Sequence, residues 1–189
     1  MRNAFFMRAS LPSGVLGLSI SSLIMPSAML NFLPININIE GKRILIIGGG
    51  RVGLHKATIL ARFTDRAIVI SPEFKEGFHD LPFSLVRKHF EPSDLDGAFL
   101  IYVCTEDAEL NRSIKHEAEA RGVLASVCDS PSLCDFTSPA IFSKDNLTIA
   151  VASDARDVHR SMRIRDAIRD NFDYIEAHSK PPQSIYHKR

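Results

Sequence analysis

The chain reads as an α/β protein: a doubly wound parallel sheet followed by a small β-hairpin plus helix. Three observations carry that reading. Short apolar, β-branched runs recur at Arg43–Ile47, Ala67–Ser71, Ala98–Cys104 and Leu124–Cys128, the pattern of strands buried on both faces. Segments of helical periodicity stand between them, so strand and helix alternate as in βαβ units. Beyond Asp129 the alternation stops, and two strands around a tight turn, then a helix, take its place.

The elements come in this order. Residues 1–28 carry Arg2 and Arg8, an uncharged apolar stretch, then small residues at Ser27 and Ala28, which are features of a secretory signal. Their Pro and Gly content and short length argue against a spanning helix. Met29 is a natural start for the domain, so residues 1–28 are expected to be an extension outside the fold. Arg43–Ile47 is the first strand, and Val52–Arg62 places Val52, Ala57, Ile59 and Leu60 on helical spacing. Ala67–Ser71 is the second strand, stopped by Pro72. Ser84–His89 alternates as a half-exposed strand, and Ala98–Cys104 is again fully apolar. Thr105 or Asp107 caps a helix reaching about Arg121, where Gly122 supplies the C-terminal glycine. Leu124–Cys128 is the next strand. "SPSLCDFTSPA" is a loop; Ile141–Phe142 and Asn146–Ser153 flank a turn at Lys144-Asp145-Asn146, and a helix runs from Asp157 to Tyr174. The expected domains are 29–130 for the sheet, 131–178 for the small module, and 179–189 for a frayed tail.

Composition narrows the function. With 45% hydrophobic and 24% charged residues the chain has ordinary globular character, and a net charge of +1 provides no field to attract nucleic acid or an anionic membrane. Cys104, Cys128 and Cys134 form no C-x-x-C pair, which fits reduced thiols in a cytoplasmic protein. Cys104 and Cys128 sit in apolar runs and read as small buried hydrophobes. His55, His79, His89, His116 and His159 lack H-x-x-x-H or HExxH spacing and read as surface residues, so no metal site is expected. No P-loop, Ser-His-Asp set or nucleic-acid motif is present.

"ILIIGGGRVGLHKATIL" is the most informative stretch. Gly48, Gly50 and Gly53 form G-x-G-x-x-G between a strand and a helix. In a Rossmann-like fold the first glycine permits the tight turn, the second lets backbone approach a pyrophosphate, and the third packs helix on strand. The phosphate charge then faces unpaired N–H groups at the helix N-terminus. The alternative is a glycine turn that only joins strand to helix. An acidic residue normally ends the second strand to hold a ribose; here that strand ends in Ser71, and Glu73 is the first carboxylate, favouring NAD.

"GGGRVGLHKATIL", "CTEDAELN", "SVCDSPSLCDFTSPAI" and "LTIAVASDAR" together resemble, in order and spacing, the precorrin-2 dehydrogenase family, the N-terminal modules of siroheme synthases. Some members also act as sirohydrochlorin ferrochelatases. The resemblance spans roughly Leu33 to Asp170, and its specific part is Asp129 to Ile141. It implies an oxidoreductase of siroheme (porphyrin-type tetrapyrrole) biosynthesis: NAD accepts a hydride as precorrin-2 becomes sirohydrochlorin, with Fe2+ insertion as a second activity. It also implies a homodimer formed through the small module. Cofactor contacts then fall on the Gly48–Gly53 turn with Arg51 and Val52, on Pro72 and Glu73, and at Thr105. The catalytic acid falls on Asp129.

Asp129 directly succeeds a strand, at the carboxyl end where doubly wound sheets bind ligands, and a carboxylate there can take the proton that leaves with the hydride. The competing reading is a cap on the Ser130-Pro131 turn. Asp135 reads as a structural loop carboxylate bonding nearby N–H groups. A polycarboxylate tetrapyrrole calls for cations, and Arg156, Arg160 and Arg163 fall at i, i+4, i+7, with Ser153 before them. This end departs from the family: "DARDVHR" replaces a glycine-rich turn and Ser-Pro pair, and Met162 stands where arginine is usual, which weakens the chelatase expectation most. Two other functions share these features: a non-catalytic NAD(H)-sensing regulatory module, and a Rossmann reductase acting on another anionic metabolite.

Overall fold

The structure, a computed structural model, describes residues 30–128 and 130–179, and a compact unit begins at Phe32. Five parallel strands form one sheet in the order β3-β2-β1-β4-β5: β1 (Arg43–Ile47), β2 (Ile68–Ser71), β3 (Ser84–Arg87), β4 (Ala98–Val103) and β5 (Leu124–Val127). The order reverses at β1, so the crevice beyond β1 and β4 is where such a sheet takes a ligand.

Period-two alternation divides the strands between two cores. Ile44 and Ile46 face one side with Ala57 and Leu60 of α1 (Arg51–Leu60) and Phe78. Leu45 and Ile47 face the other, against Ile114 and Ala118 of α2 (Ala108–Ala120) and Leu95. A helix on each face makes the sheet doubly wound, as the apolar runs predict. β3 is the half-exposed edge strand expected, but it ends at Arg87 rather than His89, because Lys88 N–H turns back to the carbonyls of Ser71 and Val86.

α2 begins at the expected cap: Asp107 Oδ1 accepts from Glu109 N–H (2.8 Å) and Leu110 N–H (3.0 Å). It ends before Gly122, which adopts φ +66°. The opposite edge of the sheet is closed by the loop behind it. Asp135 N–H donates to Ala125 O (2.8 Å), and Ala125 N–H donates to Asp135 Oδ2 (2.9 Å), so a carboxylate completes the β5 ladder.

β6 (Ala140–Lys144) and β7 (Leu147–Val151) pair antiparallel about Asp145-Asn146, with Asp145 at φ 51°, as the turn predicts. Helix α3 (Val158–Asp170) packs on this hairpin. The single helix expected to Tyr174 breaks at Asn171 and resumes as α4 (Phe172–His178). Asn171 Nδ2 donates to Ala167 O (2.9 Å), a side chain competing for a helical carbonyl. No helix among the described residues is long and apolar enough to cross a membrane.

Candidate functional site

The three motif glycines have three separable tasks. Gly48 adopts φ +116°, and a Cβ there would lie 2.5 Å from Cys104 O, so the turn is pressed against the end of β4. A Cβ on Gly53 would lie 2.1 Å from Gly48 O, so the third glycine lets α1 close on the turn. A Cβ on Gly50 would meet nothing within 4 Å. That space holds no atom of the described residues, and it opens at the start of α1, whose N-cap, Gly50, makes no side-chain cap and whose first turn holds no acid. Uncapped N–H groups behind a missing Cβ are what a pyrophosphate requires. Gly49, outside the motif, is equally constrained: its Cβ would lie 2.1 Å from Glu73 O.

The turn forms the floor of a cleft of about 1100 Å³ across the carboxyl ends of β1, β2, β4 and β5. Seven of the eight cofactor residues predicted from sequence line it, Gly48, Gly50, Arg51, Val52, Pro72, Glu73 and Thr105, while the eighth, Gly53, is buried and does not. The loop after β2 is braced by Arg87, whose Nη1 donates to Pro72 O (3.4 Å) while its guanidinium lies 5.6 Å from the Phe74 ring centre. Glu73 is thereby held at the rim with its side chain in solvent.

Sequence reasoning missed several lining residues. Asn111, buried on α2, donates from Nδ2 to Thr105 O (3.0 Å) and accepts at Oδ1 from Thr105 Oγ1 (2.5 Å), locking the loop after β4. Its signal was present in "CTEDAELN" as a polar residue on the apolar face of a helix. His89 and Phe90 line the cleft too, so His89 is exposed as expected but not remote.

Asp129 lies outside the described residues. Its neighbours Cys128 and Ser130 both line the cleft, and the loop beyond Ser130 is tightly held. Cys134 Sγ donates to Val127 O (3.2 Å) and Ser130 O (3.4 Å). Asp135 Oδ1 accepts from Lys115 Nζ (2.6 Å), a buried ammonium that also pairs with Glu119 (3.0 Å). Burial alone would lower the Lys115 pKa, but the hydrogen bonds to Asp135 and Glu119 outweigh it and hold the ammonium above its ordinary value. Phe136 packs edge-on against Tyr102 at 5.3 Å, where burial pushes the phenol pKa up against the lowering hydrogen bond from Ser138.

The substrate arginines are placed less simply. Arg160 and Arg163 stand exposed on α3, but Arg156 precedes the N-cap Asp157 and pairs with the buried Asp154 (3.0 Å), so the i, i+4, i+7 stripe is not one helical face. The cause is the turn before the helix: Asp154 and Ala155 adopt φ 55° and 58°. Ser153 Oγ accepts from Asp157 N–H (3.1 Å). None of these four residues is among those lining the cleft.

A family model described as "Putative NAD(P)-binding" matches residues 35–140. The siroheme synthase of Ectopseudomonas mendocina is 36% identical over 126 residues, covering 66% of this chain and 27% of the relative. That of Methylobacillus flagellatus is 37% identical over 128 residues, covering 64% and 27%. That of Azotobacter vinelandii is 34% identical over 146 residues, covering 72% and 31%. The chain thus spans under a third of the length of these curated relatives. The solved structure of SirC, a precorrin-2 dehydrogenase, superposes with a TM-score of 0.64 at 22% identity, covering 74% of this chain and 71% of that one. This likeness shows the fold, sheet and appended hairpin included.

Proposed function

The chain belongs to the NAD(P)-binding family matched over residues 35–140, and from that premise we propose that it oxidises precorrin-2 to sirohydrochlorin in siroheme biosynthesis. The observation that carries the proposal is a coincidence of place. The glycine cradle and the two residues flanking Asp129, which belong to different motifs of the resemblance, line one cleft. The names of the siroheme synthases and of SirC point the same way.

The α1 N-terminus and the Gly48–Gly53 turn would hold the pyrophosphate, with Arg51 and Val52 at the same turn. Glu73, exposed at the rim of the cleft, would accept a hydrogen bond from a ribose hydroxyl, which would favour NAD over its 2′-phosphorylated form. Thr105, fixed by Asn111, borders the cofactor on the β4 side. Bound NAD+ supplies the hydride acceptor. Asp129 takes the ring proton that must leave with the hydride, and the loop after it is held by Cys134, Asp135 and Lys115. Arg160 and Arg163 offer cations to the substrate carboxylates. Iron insertion into sirohydrochlorin, with Fe2+ as substrate, would draw on the same carboxylate.

The test is direct. Pure protein with precorrin-2 and NAD+ should form sirohydrochlorin, followed by absorbance, with matching NADH. Asp129→Ala should lower kcat by roughly 10²-fold or more, the scale of lost general acid–base catalysis. NADH binding without turnover would instead favour a sensing module, and an unimpaired Asp129→Ala would remove Asp129 from the chemistry. Offering Fe2+ to sirohydrochlorin tests chelation separately.

A further inference from the structure

Cys104 and Cys128 stand at the carboxyl ends of β4 and β5, one residue beyond the last register pair, Val103 and Val127. Their Sγ atoms lie 3.0 Å apart, and both residues line the cofactor cleft. We propose that these thiols are a modification site, forming a reversible disulfide that couples dinucleotide binding to peroxide.

Strand geometry supports the bond. Neighbouring strands run about 4.8 Å apart and paired side chains leave the same face, so two paired cysteines fall inside the Cα separation of roughly 4.4–6.8 Å that a disulfide needs. Reaching an S–S length of about 2.05 Å takes about 1 Å of approach from the present separation. The third cysteine is engaged elsewhere, its Sγ directed at the carbonyls of Val127 and Ser130.

Access assigns the order of events. Cys128 is half-buried and Cys104 is 6% exposed, so Cys128 meets a small oxidant first. Its thiolate attacks one oxygen of hydrogen peroxide; the O–O bond breaks, hydroxide leaves and takes up the thiol proton, and a sulfenic acid remains. The Cys104 sulfur then attacks the Cys128 sulfur, the S–O bond breaks, and the oxygen departs as water with the second thiol proton. Two thiols and one peroxide give one disulfide and two waters, the sulfurs losing the two electrons the peroxide gains.

The bond acts on the cradle through the backbone. Cys104 O is the atom against which Gly48 is fitted, and Thr105, the next residue, is the one Asn111 holds. Drawing Cys104 toward β5 displaces both walls of the cleft from the position that suits the dinucleotide.

The full chain is treated with hydrogen peroxide, quenched with N-ethylmaleimide, and examined by intact mass and peptide mapping, with NADH binding titrated in parallel by fluorescence. The expected product has one alkylated thiol, Cys134, and a linked peptide pair containing Cys104 and Cys128. Its NADH Kd should rise on the order of tenfold, as ångström-scale misplacement of binding groups predicts, and dithiothreitol should restore it. Saturating NAD+ should slow the reaction by covering the thiols. Cys128→Ser should abolish the effect of peroxide on NADH binding, whatever its own starting affinity. Three alkylated thiols after peroxide, a link through Cys134 or between chains, or a Cys104–Cys128 bond that leaves NADH binding unchanged would each overturn the proposal; the wild-type mapping decides even if the serine variant does not fold.

Discussion

The two halves of the chain solve the problem of burial differently. The parallel sheet is covered on both faces, and β1 shows how completely: Ile44, Leu45, Ile46 and Ile47 are at most 2% exposed. The hairpin and its helices contain no such layer. Every residue of β6 is only half-buried, Ser161 is the one buried residue of α3, and Leu147, Val158, Met162 and Ile164 are each more than 40% exposed. A two-stranded hairpin is marginal by itself. The sheet buries its apolar residues within the chain, whereas the module leaves apolar surface exposed on it. The difference teaches where substitutions should hurt through folding and where through association.

The largest effect is expected at the glycine turn, where the tightly packed half borders the cleft. Gly53→Ala forces a Cβ onto Gly48 O, and its contact is rigid backbone, so a loss of about 3 kcal/mol or more is expected, on the scale of severe overpacking. Gly50→Ala has open space and an ordinary φ of −79°, so it should cost no more than about 1 kcal/mol, the scale of replacing an N-cap glycine. Its NADH affinity should nevertheless fall markedly, because the new methyl would stand in the space proposed for the pyrophosphate. Urea melts and NADH titrations on both variants separate the two roles; equal behaviour would sink the assignment.

Much of this is legible in the sequence because it is local. The glycine turn, the Asp107 cap, the Asp145-Asn146 hairpin and the alternation of strand and helix are all set within a few residues. The parts that sequence does not reveal are joined by register. Asn111 with Thr105, Lys115 with Asp135, and Cys104 with Cys128 meet only once strand order and helix phase are known. Arg156 is misplaced by sequence for the opposite reason: helical spacing groups it with Arg160 and Arg163, but the left-handed conformations at Asp154 and Ala155 turn the chain before the N-cap, Asp157, and leave it outside the helix. Asp135 reads correctly as structural, though its most consequential partner, the buried Lys115, is invisible to local pattern.

That ion pair supports the second prediction. Lys115→Met keeps the aliphatic stem and removes the charge that anchors the loop after β5. About 1–2 kcal/mol should be lost, less than for a fully buried pair because Asp135 and Glu119 retain solvent contact. The sign with pH comes from the raised pKa. The ammonium's contribution is fully present below its unfolded pKa of about 10.4 and fades as pH rises through the higher folded value. The gap between wild type and variant in urea melts should therefore stay constant from neutral pH to about pH 10 and narrow above it. A gap that stayed constant above pH 10 would assign the loss to packing instead.

The smallest effect on the isolated chain belongs to the module, and its smallness is the point. Leu147→Lys with Met162→Glu replaces side chains 49% and 41% exposed, so the monomer should change by no more than about 0.5 kcal/mol. If the exposed apolar surface is covered by a second copy, the same pair of charges is desolvated in the dimer and association weakens by orders of magnitude. Light scattering across a dilution series should then report a dimer for wild type and a monomer for the variant, with urea melts at low concentration unchanged. A monomeric wild type would leave that surface without a copy to cover it, and loss of stability in the dilute variant would mean the module is packed more like the sheet than its exposure indicates.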